Sequence, residues 1–340
     1  MLNVAVIGCG YWGNHIIRNF NNSSDWNLKY ICDTDSKQLA KLSSSYQDAE
    51  AVGSPEVIFD DKNVDAVVIA TPVSTHFELA KSSLISGKHT WVEKPLTSSS
   101  EEAQELLKLA RENGKLLHVD HTFIYTPAVR KIKELISSGQ LGDILYFDSV
   151  RINLGLFQHD VNVIWDLAPH DLSILAYTIG KKPVSVSATG KPLLKYNEKD
   201  IASLAFLTIN FEDGSIAHIN VNWMSPVKIR QIIFGGSKKM LVFDDMETVS
   251  KIKIFDSGVD ISSREDIYNA LIQYRTGDMH SPAIKNFEAL AFECTHFHDC
   301  IVNNRETDTD GESGLYVVQL LEAANRSLSE GGSPVYIEYI

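Results

Sequence analysis

The stretch VAVIGCGYWGNHIIRNF, residues 4–20, decides the fold. It opens on a continuous apolar run, the mark of a strand buried on both faces. From Trp12 onward, Ile16, Ile17 and Phe20 recur at helical spacing, so the strand passes directly into a helix. Between the two stand Gly8, Gly10 and Gly13, a G-x-G-x-x-G pattern. Alone such a pattern means little, but here a strand precedes it and a helix follows. Gly8 then permits the tight turn, Gly10 lets backbone approach a pyrophosphate, and Gly13 lets the helix pack against the strand. The helix N-terminus adds free N–H groups and a partial positive charge suited to phosphate.

The same rhythm continues outward. LKYICD, DAVVIAT, HTWVEK and KLLHVDH read as strands. SKQLAKLSSSY, HFELAKSSLISG and SSEEAQELLKLARENG read as the helices between them, the last two closed by Gly87 and Gly114. Strands alternating with helices predict a parallel sheet covered on both faces. After about residue 122 the pattern changes. One helix, TPAVRKIKELISSG, is followed by long β segments rich in branched residues, with hairpin signals at FEDGS and FGGSK. SPAIKNFEALAFECTHFHDCIVNN and DGESGLYVVQLLEAANRSLSEGG are late helices. The expected fold class is α/β. A Rossmann doubly wound parallel sheet occupies residues 1–122. An α+β domain with a large, mostly antiparallel open sheet occupies residues 123–340.

Bulk composition narrows the function. At 340 residues the chain is too long for one ordinary core, so two domains are expected. The net charge of −13 argues against nucleic acid or an anionic membrane as the main partner. Four scattered cysteines form no disulfide framework and point to a reducing compartment. The chain enters its first strand without a basic leader, and no apolar run is long enough to span a bilayer. A cytoplasmic protein is the expectation.

Several residues carry candidate chemistry. Asp33 ends the second strand, where an acid accepts from ribose hydroxyls and repels a 2′-phosphate, favouring NAD over NADP. Asp35 fits the cap of the following helix better. Thr71 and Pro72 end the next full strand, at the crevice where such sheets bind ligands. Ser74 or Thr75 is placed to cap the helix that follows, with His76 in its first turn, either structural or in contact with the cofactor. Lys94 ends the strand after that, behind Glu93, and Pro95 holds it in extended backbone; a cis bond there would aim it more sharply. Tyr11 and Trp12, in the glycine loop, complete the candidate cofactor set with His76 and Glu93.

In NVIWDLAPHDLSILAYTIG, Asp166 and His170 stand four apart and share a helix face. Pro169 is tolerable if the helix begins near Asp166, placing it in the first turn before the helix runs to Gly180. The bland reading is a capping aspartate and a packed histidine. CTHFHDC, residues 294–300, looks like a zinc motif. On a helix, however, Cys294 and His298 face away from His296 and Cys300, so a core helix is expected and no metal.

GCGYWGNH, ATPVSTHFELA, EKPL and WDLAPHD occur in the order found in the glucose–fructose oxidoreductase/inositol dehydrogenase (Gfo/Idh/MocA) family, which the chain resembles over essentially its whole length. The resemblance implies Lys94, Asp166 and His170 as the catalytic set. It implies Gly8, Gly10, Gly13, Asp33, Thr71 and Pro72 as cofactor positions. GYWG and the segment from Arg151 to Asp171 resemble the nucleotide-sugar branch, which oxidises C3 of a UDP-linked N-acetylated sugar or uronate. Arg151, Asn153, Gln158, His159 and Asn162 then border the substrate, with Arg151 meeting a diphosphate or a carboxylate, or standing as an ordinary strand-end arginine. An inositol or simple-sugar dehydrogenase is the alternative within the family. A non-catalytic dinucleotide sensor is the alternative from another class. The β-rich half offers an apolar sheet face that a homodimer or homotetramer would bury.

Overall fold

The structure is a computed structural model that describes residues 1–155, 161–193, 195–196, 199–256, 258–260, 273–275 and 277–338. It divides into two compact units: residues 1–126 with 287–322, and residues 127–286 with 323–340. A single cut near residue 122 therefore leaves out the return of residues 287–322 to the first unit.

In the first unit the strands are β1 (Leu2–Ile7), β2 (Trp26–Cys32), β3 (Glu50–Val52), β4 (Ala66–Ile69), β5 (His89–Glu93) and β6 (Leu117–Asp120). They form one sheet in the order β3-β2-β1-β4-β5-β6, parallel throughout. The helices are α1 (Tyr11–Asn22), α2 (Ser36–Ser45), α3 (Glu56–Asp60), α4 (His76–Ile85) and α5 (Ser100–Asn113). Order reverses at β1 and β4, and the crevice beyond their carboxyl ends is the place where such sheets hold ligands. The expected doubly wound sheet is present, with β3 an extra short strand too brief to show periodicity. Asp35 Oδ1 caps α2 by accepting from the N–H groups of Lys37 and Gln38.

Helix α8 (Ala289–Val302) also belongs to this unit. Its Leu290, Cys294 and Phe297 join one buried cluster with Trp26, Trp91, Phe20, Val4 and Val6 of β1, and Val68 of β4. The Trp26 indole N–H donates to the Cys294 carbonyl at 3.0 Å. The CTHFHDC segment is thus a core helix, as its spacing indicates.

In the second unit α6 (Pro127–Ser137) packs on α7 (Val163–Ile179). The strands of its main sheet are β7 (Ile144–Leu154), β8 (Pro183–Lys191), β9 (Leu204–Phe211), β10 (Ile216–Asn222), β11 (Met224–Gly236), β12 (Met240–Asp244), β13 (Ile252–Phe255), β14 (Met279–His280) and β15 (Val335–Tyr336). They form a nine-stranded sheet in the order β14-β13-β12-β11-β7-β10-β9-β8-β15. Only the β7–β10 neighbours run parallel; the other pairs are antiparallel. Residues 311–322 of α9 (Gly311–Ser329) fall in the first unit and 323–329 in the second. Among the described residues no helix is long and apolar enough to cross a membrane.

Candidate active site

The glycine loop is built as its sequence demands. Gly8 has φ +93°, and a Cβ there would lie 2.6 Å from the Ala70 carbonyl carbon and oxygen. A Cβ on Gly13 would lie 2.0 Å from the Gly8 carbonyl oxygen. Gly10 differs: its Cβ would meet nothing within 4 Å. This glycine leaves open the approach to the first turn of α1, whose N-cap is Gly10 and whose N–H groups have no capping side chain. Three side chains brace the loop. Asp33 Oδ2 accepts the Cys9 N–H at 2.7 Å. Gln38 Nε2 donates to the Cys9 carbonyl at 2.7 Å, and Asn14 Nδ2 to the carbonyls of Cys9 and Gly10. Asp33 Oδ1 also accepts the Asp35 N–H at 2.8 Å. Each carboxylate oxygen has a second lone pair, which leaves Asp33 able to take ribose hydroxyls. Burial and the Asp33 carboxylate push the Cys9 thiol up to about 12, so this loop cysteine is inert at neutral pH. These residues fit a bound NAD.

Trp12 is turned to another purpose. Its indole N–H donates to Asp120 Oδ2 at 2.8 Å, tying the loop to the tip of β6. Tyr11 is 84% exposed. At the tip of β4, Thr71 Oγ1 accepts from Thr75 Oγ1 at 2.7 Å. Thr75 is the N-cap of α4 but makes no capping bond; its hydroxyl donates toward Thr71 Oγ1 and the Pro72 carbonyl instead. The His76 ring is buried against the backbone of Thr71 and Pro95.

At the tip of β5, Lys94 is half-buried and the Lys94–Pro95 bond is cis. The Lys94 charge acts on Glu93, His76 and His121. Burial and the neighbouring Asp120 push the Glu93 carboxyl well up, against the pull of Lys94. Burial, then Lys94, brings His121 down to about 3. Asp120 and His121 did not stand out in the sequence. The strand-tip rule that selects Lys94 points equally to Asp120, the last residue of β6.

In the second unit α7 begins at Val163, three residues earlier than expected. The reason is Asn162, whose Oδ1 caps the helix by accepting from Ile164 and Trp165, while its Nδ2 donates to Asn325 at 2.8 Å. Both ends of the amide that the sequence reading set beside the substrate are engaged within the unit. Pro169 consequently sits in the second turn, not the first. Asp166 and His170 do share one face of α7. Asp166 Oδ2 accepts the Trp223 indole N–H at 2.8 Å, a partner 57 residues away that no local pattern announces.

Arg151 is the other departure. It is 4% exposed, and its Nε and Nη2 grip Asp171 at 2.7 and 3.1 Å. Ser149 donates to the same carboxylate at 2.9 Å. The fork binds the residue next to His170, so it fastens α7 to β7. A buried aspartate in reach is a better partner for a guanidinium than a distant anion. Asn153, half-buried, lies on the same face of β7 by strand alternation. Gln158 and His159 lie outside the described residues.

Residues 2–121 match the oxidoreductase family GFO_IDH_MocA, NAD-binding Rossmann fold, and residues 129–242 match the GFO/IDH/MocA C-terminal domain. Scyllo-inositol 2-dehydrogenase (NAD(+)) of Bacillus subtilis is 25% identical over 92% of this chain and 91% of its own. UDP-N-acetylglucosamine 3-dehydrogenase of Acidithiobacillus ferrooxidans is 26% identical over 93% of this chain and 94% of its own. A solved structure of the Acidithiobacillus enzyme superposes with a TM-score of 0.82 at 23% identity, covering 97% of this chain and 98% of that one. GenD2 from gentamicin A biosynthesis, solved in complex with NAD, gives 0.82 at 22% identity over 99% and 97%. Both halves match one family, in order, on the fold that family adopts: this chain is an NAD-binding oxidoreductase of the Gfo/Idh/MocA family.

Proposed function

We propose that the chain is a dehydrogenase acting on a secondary alcohol of a sugar, at C3 of a UDP-linked N-acetylated sugar or uronate. NAD, when bound, supplies the hydride acceptor. His170 takes the hydroxyl proton as general base, a task suited to imidazole near neutral pH. Lys94 donates a hydrogen bond to the oxygen as it gains negative charge. Asp166, held by Trp223, orients the substrate or His170. Arg151 and Asn162 serve α7 and are not assigned to the substrate.

The observation that carries the reading is α7 itself. An asparagine cap, a tryptophan bond and a buried ion pair fix the helix on which Asp166 and His170 share a face. The likeness to UDP-N-acetylglucosamine 3-dehydrogenase supports the substrate class. The likeness to scyllo-inositol 2-dehydrogenase, at nearly equal identity, supports the second reading, a polyol substrate. The test follows NADH absorbance on mixing the chain and NAD with UDP-sugars and with free polyols. Reduction with UDP-sugars alone supports the first reading, and reduction with inositols alone the second. No reduction with either class sinks both.

The proposal includes a homo-oligomer. Tyr146, Phe206 and Ile216 are 39–42% exposed and share one sheet face, since Ile216 pairs with Tyr146 and Phe206 with Asn220. Light scattering that returns the monomer mass would remove it.

A further inference from the structure

His76 opens α4 and has no part in the chemistry above. It is 1% exposed. Its Nδ1 stands 2.9 Å from the Pro95 carbonyl oxygen, and its Nε2 stands 2.8 Å from the Thr71 carbonyl oxygen. Thr71 follows β4 and Pro95 follows β5. Their last paired residues are Ile69 and Val92. The ring therefore spans the two tips just where the backbone ladder between them has stopped.

A carbonyl oxygen can only accept. A neutral imidazole has one N–H, so it makes one of these two bonds and turns a lone pair toward the other oxygen. Only the imidazolium makes both. We propose that His76 is a positioning residue: its charged form straps Thr71 to Pro95, setting the distance between the cofactor-lining tip and the lysine tip, and its neutral form holds one tip only. This rests on the reading of Lys94 given above.

Three influences act on the ring's charge. Burial disfavours it most, the carbonyls of Thr71, Pro95 and Leu96 favour it, and the Lys94 ammonium disfavours it. The net result lies below the ordinary histidine value. Lys94 is the charged group that faces the ring from β5, and on α4 itself Glu78 is exposed in the first turn. The second bond is thus gained as pH falls below the ordinary histidine range. The pyrophosphate of NAD, with its two negative charges, favours the charged form when it binds near the strap, so cofactor affinity and protonation reinforce each other.

The experiment measures NAD affinity calorimetrically against pH for the wild type and His76→Gln, without substrate. The wild type gains affinity as pH drops below the histidine range. His76→Gln, whose amide does not titrate, loses that limb and binds about tenfold more weakly at its acid end, the scale of one charge-assisted hydrogen bond. An unchanged limb in the folded variant overturns the strap. Should the variant not fold, histidine ¹⁵N resonances of the wild type decide. Two protonated nitrogens on His76 in the NAD complex at acid pH uphold the strap, and one bare nitrogen throughout overturns it. Neither readout needs a substrate, so a wrong substrate class and a wrong strap fail separately.

Discussion

Replacing Arg151 by methionine removes one partner of an ion pair whose side chains are 4% and 1% exposed. Asp171 then loses both arms of the fork, at 2.7 and 3.1 Å, and keeps Ser149 as its remaining donor among these three. An uncompensated buried charge costs about 3–5 kcal/mol. A domain's whole stability is about 5–15 kcal/mol, so the loss is a large share of it. Arg151→Lys keeps the charge but not the fork, and should fall between wild type and methionine. Removing both charges, as Arg151→Met with Asp171→Leu, should recover most of the loss, because no charge is left stranded. Urea unfolding followed by tryptophan fluorescence measures the wild type, the two Arg151 variants, Asp171→Leu and the double variant. Where the single variants are folded, turnover should fall too, since Asp171 adjoins His170. Single variants each costing under about 1 kcal/mol, or a double variant as costly as the sum of the two, would refute the claim that this pair fastens α7.

Lys94→Ala and His170→Ala should each lower kcat by roughly a hundredfold or more, and normal turnover in both would remove them from the chemistry. Gly10→Ala should leave the melting temperature near wild type, because its Cβ meets nothing, yet weaken NAD binding. Gly13→Ala, with its Cβ 2.0 Å from a carbonyl oxygen, should disturb the fold as well; calorimetry with and without NAD separates the two. Asp33→Ala should weaken NAD binding and narrow the preference for NAD over NADP, read from the two dissociation constants. His89 Nδ1 accepts the Leu116 N–H at 3.1 Å, and burial brings its pKa from 6.5 to about 4. Its folded value lies below the unfolded one, so the stability it contributes is present above pH 6.5 and lost as pH falls toward 4. His89→Gln should flatten that limb in melts across this window.

The Rossmann half is legible because its signals are local: a glycine at a turn, a cap four residues before a helix face, an apolar run of strand length. The place of Lys94 at a strand tip is legible for the same reason, since strand ends are visible in the sequence. What the sequence hides is pairing at a distance. Arg151 reads as a free cation until Asp171 comes across from α7, and Asn162 reads as polar reach until its oxygen turns back onto the helix. His76 is hidden differently. Its partners are carbonyls, which every residue has, so no residue type could disclose them. Residues 287–302 showed a helix but not its destination, because an apolar face does not say which core it will meet.

That destination sets an order of events at the ribosome. Trp26 and Trp91 emerge early, but Leu290, Cys294 and Phe297, which complete their cluster, emerge some two hundred residues after Trp91. The nascent amino-terminal half must wait with an uncovered aromatic surface, a span in which chaperones bind and sticky intermediates meet. A chain halted before residue 287 should therefore be insoluble despite carrying every strand of its parallel sheet.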